Sequence, residues 1–422
     1  MPYRSRNRSL TVVAGTAIAV LAAGCGGTAP VPGSAPATAP AAASATAASP
    51  SSDPPRSPSS EPSGLAALGA APSPTGTAES APPDGAVTGS AADFSAGNPA
   101  GRAAVPEHAR AVDTSRPTRV VGDGTAASCT SAAVVDAVAA GGIITFSCGP
   151  APVTITMTRT AKVVNAANRQ VVLDGGGRVT LSGGGERRIL YMNTCDEAQG
   201  WTTSHCNDQD HPRLVVQNLT FADGDATGEQ TDGGGGGAIF VRGGQFRVVN
   251  SRFVGNRCDR TGPDLGGAAI RVLDQWQDKP VYVVGSTFGG APNAGGVCAN
   301  GGAVSSIGVS WTVLNSLMTH NSAVGNGANP AKPGTPGGGS GGAIYADGNQ
   351  FTVTIAGTII EDNEAREGGG AIFFVSNDRS GSLRLTDSVL RRNPSRGFET
   401  AGYPGIFFLG AGEPKVTSST LR

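Results

Sequence analysis

The chain has 422 residues and a formal net charge of −1, from 31 basic and 32 acidic side chains, and no stretch of it is basic enough to hold nucleic acid. Its length would allow two or three domains, but composition shifts so sharply along it that a single folded domain is predicted.

The first segment, residues 1–24, places Arg4, Arg6 and Arg8 before an apolar run from Leu10 to Ala23. That run is too short to span a bilayer comfortably and has the charged start of a secretory signal. It closes as "LAAGC", with small residues leading into Cys25. This resembles the lipobox of bacterial lipoproteins, with Ala22 where a leucine is usual. The resemblance implies that Cys25 is lipidated and becomes the mature N-terminus. Several acyl chains on one residue hold permanently, so the expected address is the bacterial cell surface, on the outer face of the cytoplasmic membrane, with simple secretion as the alternative.

Residues 25–118 are mostly Ala, Pro, Ser, Thr and Gly. Such a composition buries too little apolar surface to offset its ordering entropy, and a disordered tether is expected. Beyond it, six cysteines remain: Cys129, Cys148, Cys195, Cys206, Cys258 and Cys298. An even set suits disulfides in an oxidising compartment. Sequence does not fix their connectivity, although proximity favours 129 with 148, 195 with 206 and 258 with 298. Zinc is the rival, and the close ligand spacing it needs is absent.

The domain 119–422 opens with "SCTSAAVVDAVAAGGIITF". Thr130 or Ser131 can cap a short helix with Val134, Val135 and Val138 on one face. Gly141 and Gly142 end it before a strand, Ile143 to Phe146. A lone amphipathic helix before a strand array is expected to cover its open end.

The rest repeats. "GGAIFV" at 236 returns as "GGAAIRV" at 266, "GGAVSSI" at 301, "GGAIYA" at 341, "GGAIFFV" at 369 and a degraded "PGIFFL" at 404. A second pattern, "VVNSRFVGN" (248–256), returns with Phe288, Met318, Ile360, Leu390 and Leu421 in place of Phe253. The period of 30 to 42 residues and the short β-branched and aromatic runs exclude leucine-rich repeats and helix pairs. Three short strands per turn, each stacking in parallel on the next turn, fit; nine or ten coils would give a rod ~45 Å long.

This pairing of "GGA[ILV]" with "F-x-x-N" resembles the repeat of polymorphic outer-membrane proteins and, more broadly, right-handed parallel β-helices of the pectin-lyase-like class. The resemblance covers about residues 120–422. It implies an all-β, single-stranded right-handed parallel β-helix with a short N-terminal capping helix, on a fold that hosts lyases, hydrolases and adhesins alike.

A phosphate loop puts its glycines before a helix, with Lys-Ser or Lys-Thr after them; here they precede strands and recur in every coil, so they are expected to turn corners. Asn256, Asn321, Asn363 and Asn393 end the second pattern at equivalent positions, predicting a ladder of stacked amides. After each "GGA", Ile239, Ala269, Val304, Ile344, Ile372 and Ile406 are placed inside. Alternation then sends Phe240, Ile270, Ser305, Tyr345, Phe373 and Phe407 outward. Phe240, Tyr345, Phe373 and Phe407, with Trp201, become candidates for an exposed sugar platform; reversed faces would make them core instead.

Two irregular segments break the coil. Residues 195–213 carry Asp196, Glu197, His205, Asp208, Asp210 and His211; residues 223–234 carry Asp223, Asp225, Glu229 and Asp232. Solvated loop charge is the default, and Asp223, Asp225 and Asp232 are candidates for calcium, which takes oxygen ligands. In a site like that of pectate lyases, Arg242 or Arg271 would serve as base. Neither the lyase signatures nor those of polygalacturonases are present. The sequence therefore favours a displayed polysaccharide-binding surface over a polysaccharide lyase or hydrolase. The final "KVTSSTLR" ends within a coil, and its open strand edge invites self-association.

Overall fold

The computed structural model describes residues 94–165, 169–200, 202–230 and 234–422. Seventeen of its strands form one long sheet, eight form a second and three a short third. Pairing between consecutive turns of the repeat is parallel throughout the second sheet, from Leu190–Asn193 through Ile239–Arg242, Ile270–Leu273, Val304–Ile307, Ile344–Gly348 and Ile372–Ser376 to Ile406–Leu409. The fold is all-β, of the parallel β-helix type.

The apolar core lies between the sheets and runs the length of the stack. Ile239, Ile270, Val304, Ile344, Ile372 and Ile406 form one buried inward row of the second sheet. In the long sheet, Phe221, Phe253 and Phe288 stack face to face, with centroids 5.2 and 4.6 Å apart and planes within 7°, and Met318, Ile360 and Leu390 continue the row. The inward row corrects one expected alignment. The second copy carries Ala268 where the others have a second glycine, so Ile270, not Ala269, pairs with Ile239, and Arg271 pairs with Phe240.

The corner glycines do as their position predicts. Gly236 has φ +67°, and a Cβ on Gly237 would lie 2.4 Å from the Arg257 carbonyl oxygen. Their N–H groups donate to Gly267 and Ala268 of the next turn, at 2.7 and 2.9 Å. Both donors are thus taken by the next turn.

The amide ladder is present at the second corner. Asn363 Oδ1 accepts from the Asn321 backbone N–H at 3.0 Å and from its Nδ2 at 2.8 Å, and Asn363 Nδ2 donates to Asn393 Oδ1 at 2.9 Å. A second ladder runs along the other corner. Ser251, Ser286, Ser316, Thr358 and Ser388 each donate a hydroxyl to the carbonyl two residues back. The same oxygens of Ser286, Ser316, Thr358 and Ser388 accept the backbone N–H of the hydroxyl residue one turn before. The residue ahead of each hydroxyl is left-handed, as at Asn250 (φ 44°), Asn315 (φ 50°) and Asp387 (φ 48°), so Asn, Asp and Gly alternate there.

The helix spans Ser131–Ala140. Thr130 caps it, accepting from the Ala133 N–H at 3.2 Å, and Gly141 ends it at φ 65°. Val134 and Val138 enter the core; Val135 is half-buried against it. The strand that follows is Gly142–Phe146.

Residues 94–118 were expected to belong to the disordered tether. Instead they form a strap across the outer face of the long sheet. Ala103 exchanges two hydrogen bonds with the Asn315 side chain, and Val112 two with Gln217. Ala109 is buried with Val249, Val284 and Leu314. The strap is ordered because those outward residues give it an apolar seat and the side-chain amides pair its backbone, which composition does not register. Cys25 and the rest of the expected tether up to residue 93 lie outside the described residues.

The six cysteines stand in the three pairs that proximity favours, 129–148, 195–206 and 258–298, with Cα separations of 5.6, 4.9 and 4.9 Å.

Candidate functional site

The outward row of the second sheet carries most of the aromatic candidates. In register it reads Lys162, Tyr191, Phe240, Arg271, Ser305, Tyr345, Phe373 and Phe407. These side chains point away from the main core, as alternation predicts; Lys162 is exposed at one end and Phe407 half-buried at the other, but the six between them are buried. Phe240 and Tyr345 are 0% exposed and Phe373 is 3% exposed. Arg188 lies over the Phe240 ring at 5.0 Å, and Phe398 meets Phe407 edge-on at 4.8 Å. Asn329 Nδ2 donates to the Tyr345 hydroxyl at 2.8 Å. An exposed aromatic platform is therefore ruled out for Phe240, Tyr345 and Phe373. The rings form a second, outer core roofed by side loops, because stacked aromatics gain more from being covered than from facing water. Phe407 is only half-buried. Trp201 lies outside the described residues.

Arg271 belongs to this roofed row. It is 1% exposed, donates through Nη1 to Ser305 Oγ and through Nη2 to the Asp264 carbonyl at 2.7 Å, and burial pushes its guanidinium down to about 10. Its two terminal nitrogens hold the loop before Gly266 against the sheet, its Nε is buried without an acceptor, and the side chain also lines the groove beside Arg242. Arg242 stands one step outside the roof, half-buried, with Nε donating to Asn207 Oδ1 at 3.0 Å.

Arg242 opens onto a groove of about 660 Å³ along the turns that leave the second sheet. Leu273 and Ile307 give it an apolar floor, and Asp274, Asn349, Gln350 and Asn377 give it hydrogen-bonding edges. These residues come from successive turns, so the groove runs along the stack. Asn377 Nδ2 reaches Asp347 Oδ1 at 3.1 Å, and Asp347 also accepts from the Tyr345 hydroxyl at 3.2 Å. Burial raises both the Asp274 and the Asp347 carboxyls above the usual aspartate range; the charge of Arg242 pulls Asp274 partly back. Sequence reasoning found Arg242 through its place after a repeat but missed Asp274, Asp347 and the amides. The available signal was polar side chains recurring just after each glycine-led strand.

Several acids of the irregular loops are paired, mostly with residues outside those loops. Asp210 takes hydrogen bonds from Arg169 and Arg213 and pairs with His211; its carboxyl is held down to about 2, first by His211 and then by Arg169. Asp196 accepts from the Tyr191 hydroxyl and the Ala198 N–H, and Asp208 from the Gln277 N–H. Glu229 faces Arg188 at 3.7 Å. Asp225 pairs with Arg257 at 2.7 Å and caps the Thr227 N–H. Among the described residues no three His, Cys, Asp or Glu side chains gather as a metal-binding group; Asp232 lies outside the described residues.

Fold and groove together define an all-β protein of parallel β-helix type with a polar furrow on its flank. No protein-family model, curated protein or solved structure matches the chain.

Proposed function

We propose that the protein is a lipid-anchored, right-handed β-helix of nine or ten coils, closed at its N-terminal end by the helix Ser131–Ala140, that binds a cell-wall or extracellular polysaccharide in the groove beside Arg242. One observation carries the reading: an elongated furrow with an apolar floor at Leu273 and Ile307 and amide, carboxyl and guanidinium groups along its edges. Sugars present one apolar face and a rim of hydroxyls, and such a site meets both. Lipid on Cys25 and the tether after it would hold the groove clear of the membrane. The full chain should be retained on uronate-containing or neutral polysaccharide columns, and Asn349→Ala with Gln350→Ala should weaken retention about tenfold. Wild-type passage through every polymer, at all salt concentrations, would remove this reading. A Cys25→Ala variant should leave the membrane fraction; if it stays, the anchor lies elsewhere.

A second reading is hydrolysis of such a polymer. It is favoured by the Asp274 and Asp347 carboxyls, both raised by burial beside one groove. Asp274 follows Leu273, which lies two strand steps from Asp347 in register; an inverting reaction requires the two carboxyl groups to stand about 6.5–9.5 Å apart. Release of reducing ends that Asp347→Asn abolishes would establish it.

A further inference from the structure

A second cavity, of about 540 Å³, lies between the strap and the outer face of the long sheet. Arg213, Arg247 and Lys279 line it, no carboxylate does, and Val215, Pro280 and Tyr282 supply apolar wall. Asp210, which pairs with the lining Arg213, is already shared with Arg169 and His211. Arg247 is half-buried, and burial alone pushes its guanidinium below the usual range. It donates through Nη1 to the backbone carbonyl of His108, while its Nε is buried with no acceptor. Lys279 sits over the Trp276 ring at 3.9 Å. The strap closes the cavity through His108, whose ring meets the Tyr282 hydroxyl at 2.7 Å.

Like charges gathered at a partly dry wall raise one another's energy. An oxyanion between Arg213, Arg247 and Lys279 relieves that repulsion, and the volume suits a small molecule. We propose that this cavity binds a carboxylate carried on a ring with one apolar face, as in a sugar acid. The carboxylate meets Arg247 and Lys279, the ring lies against Val215 and Tyr282, and occupancy holds the strap down. The source is a free sugar acid or the end of an acidic polymer. The site is separate from the groove and does not depend on it.

The test is calorimetric titration of the full chain with glucuronate, with a short glucuronate oligomer and with glucose. Saturable binding of glucuronate, at least about tenfold tighter than glucose, is expected, and Arg247→Gln and Lys279→Gln should each weaken it about tenfold. Monomer binding equal to the oligomer's marks a free acid as ligand; preference for the oligomer marks a chain end. Lys279→Gln keeps the test sound if Arg247→Gln loosens the strap, because no strap residue bonds the Lys279 ammonium. Trypsin cleavage after Arg110, which is exposed on the strap, should slow severalfold with glucuronate present. Equal heats for glucuronate and glucose, or full affinity in Lys279→Gln, would overturn the site; binding with unchanged cleavage would overturn its link to the strap. Asn349→Ala with Gln350→Ala should leave glucuronate affinity intact.

Discussion

Replacing Asn363 by alanine tests the amide ladder at its most connected rung. Asn363 is 0% exposed. Its Oδ1 serves two donors of Asn321, at 3.0 and 2.8 Å, and its Nδ2 serves the Met318 and Glu361 carbonyls, both at 3.0 Å. Alanine leaves the two Asn321 donors without this acceptor in a space water does not reach, while backbone carbonyls tolerate the loss of one partner better. At ~1–3 kcal/mol for each stranded donor, the variant should lose about 2–6 kcal/mol. Asn321 Nδ2 retains bonds to the Phe288 and Thr319 carbonyls at 3.2 and 3.1 Å, which favours the lower half of that range. Urea unfolding gives the total. Hydrogen exchange should show the loss centred on residues 318–363, because stacked repeats open locally. The exposed Asn349→Ala is the control, expected within about 0.5 kcal/mol of wild type. A loss below about 1 kcal/mol at Asn363, or exchange rising evenly along the rod, would show that the ladder is a consequence of the stack and not one of its supports.

Phe253→Ala, between two stacked rings, should cost ~3–5 kcal/mol, whereas Phe253→Leu should cost under about 1.5 kcal/mol, since the same row accepts Ile360 and Leu390 elsewhere; equal losses would mean the core is not packed ring on ring. Asp274→Asn should stabilise the protein at neutral pH. The Asp274 carboxyl is raised by burial above its ordinary value of 3.8, so wild type is favoured while the group is protonated and loses that advantage as pH rises through the folded value. The variant's gain should therefore be full at neutral pH and vanish below about pH 4; a gain independent of pH in thermal melts would contradict it. Removing the Cys258–Cys298 link as a double alanine variant should cost ~2–4 kcal/mol, and peptide mapping of the unreduced protein should recover that pair.

Much of the architecture follows from local chemistry written into the chain. Glycine at 236, 267, 301, 341 and 369 marks a left-handed corner wherever it stands, alternation of small apolar residues marks a strand with one inward face, and Asn321, Asn363 and Asn393 return at a spacing that only a stacked coil explains. Cysteine proximity along the chain likewise anticipates the pairs. The hydroxyl ladder was written in the same repeats but is less visible, because serine has no single structural meaning until its neighbour one turn away is known. What sequence could not decide was the fate of faces that alternation alone sends outward. Whether Phe373 meets water depends on Phe398, twenty-five positions on, and whether Arg271 is a free base or a clamp depends on Ser305 and the Asp264 carbonyl. The strap is the same case: residues 94–118 look like linker until Asn315 and Gln217 are brought beneath them. Local pattern sets which way a side chain points, through backbone geometry at that residue; burial, charge and access are sums over everything the fold brings near, and only the folded stack fixes that list.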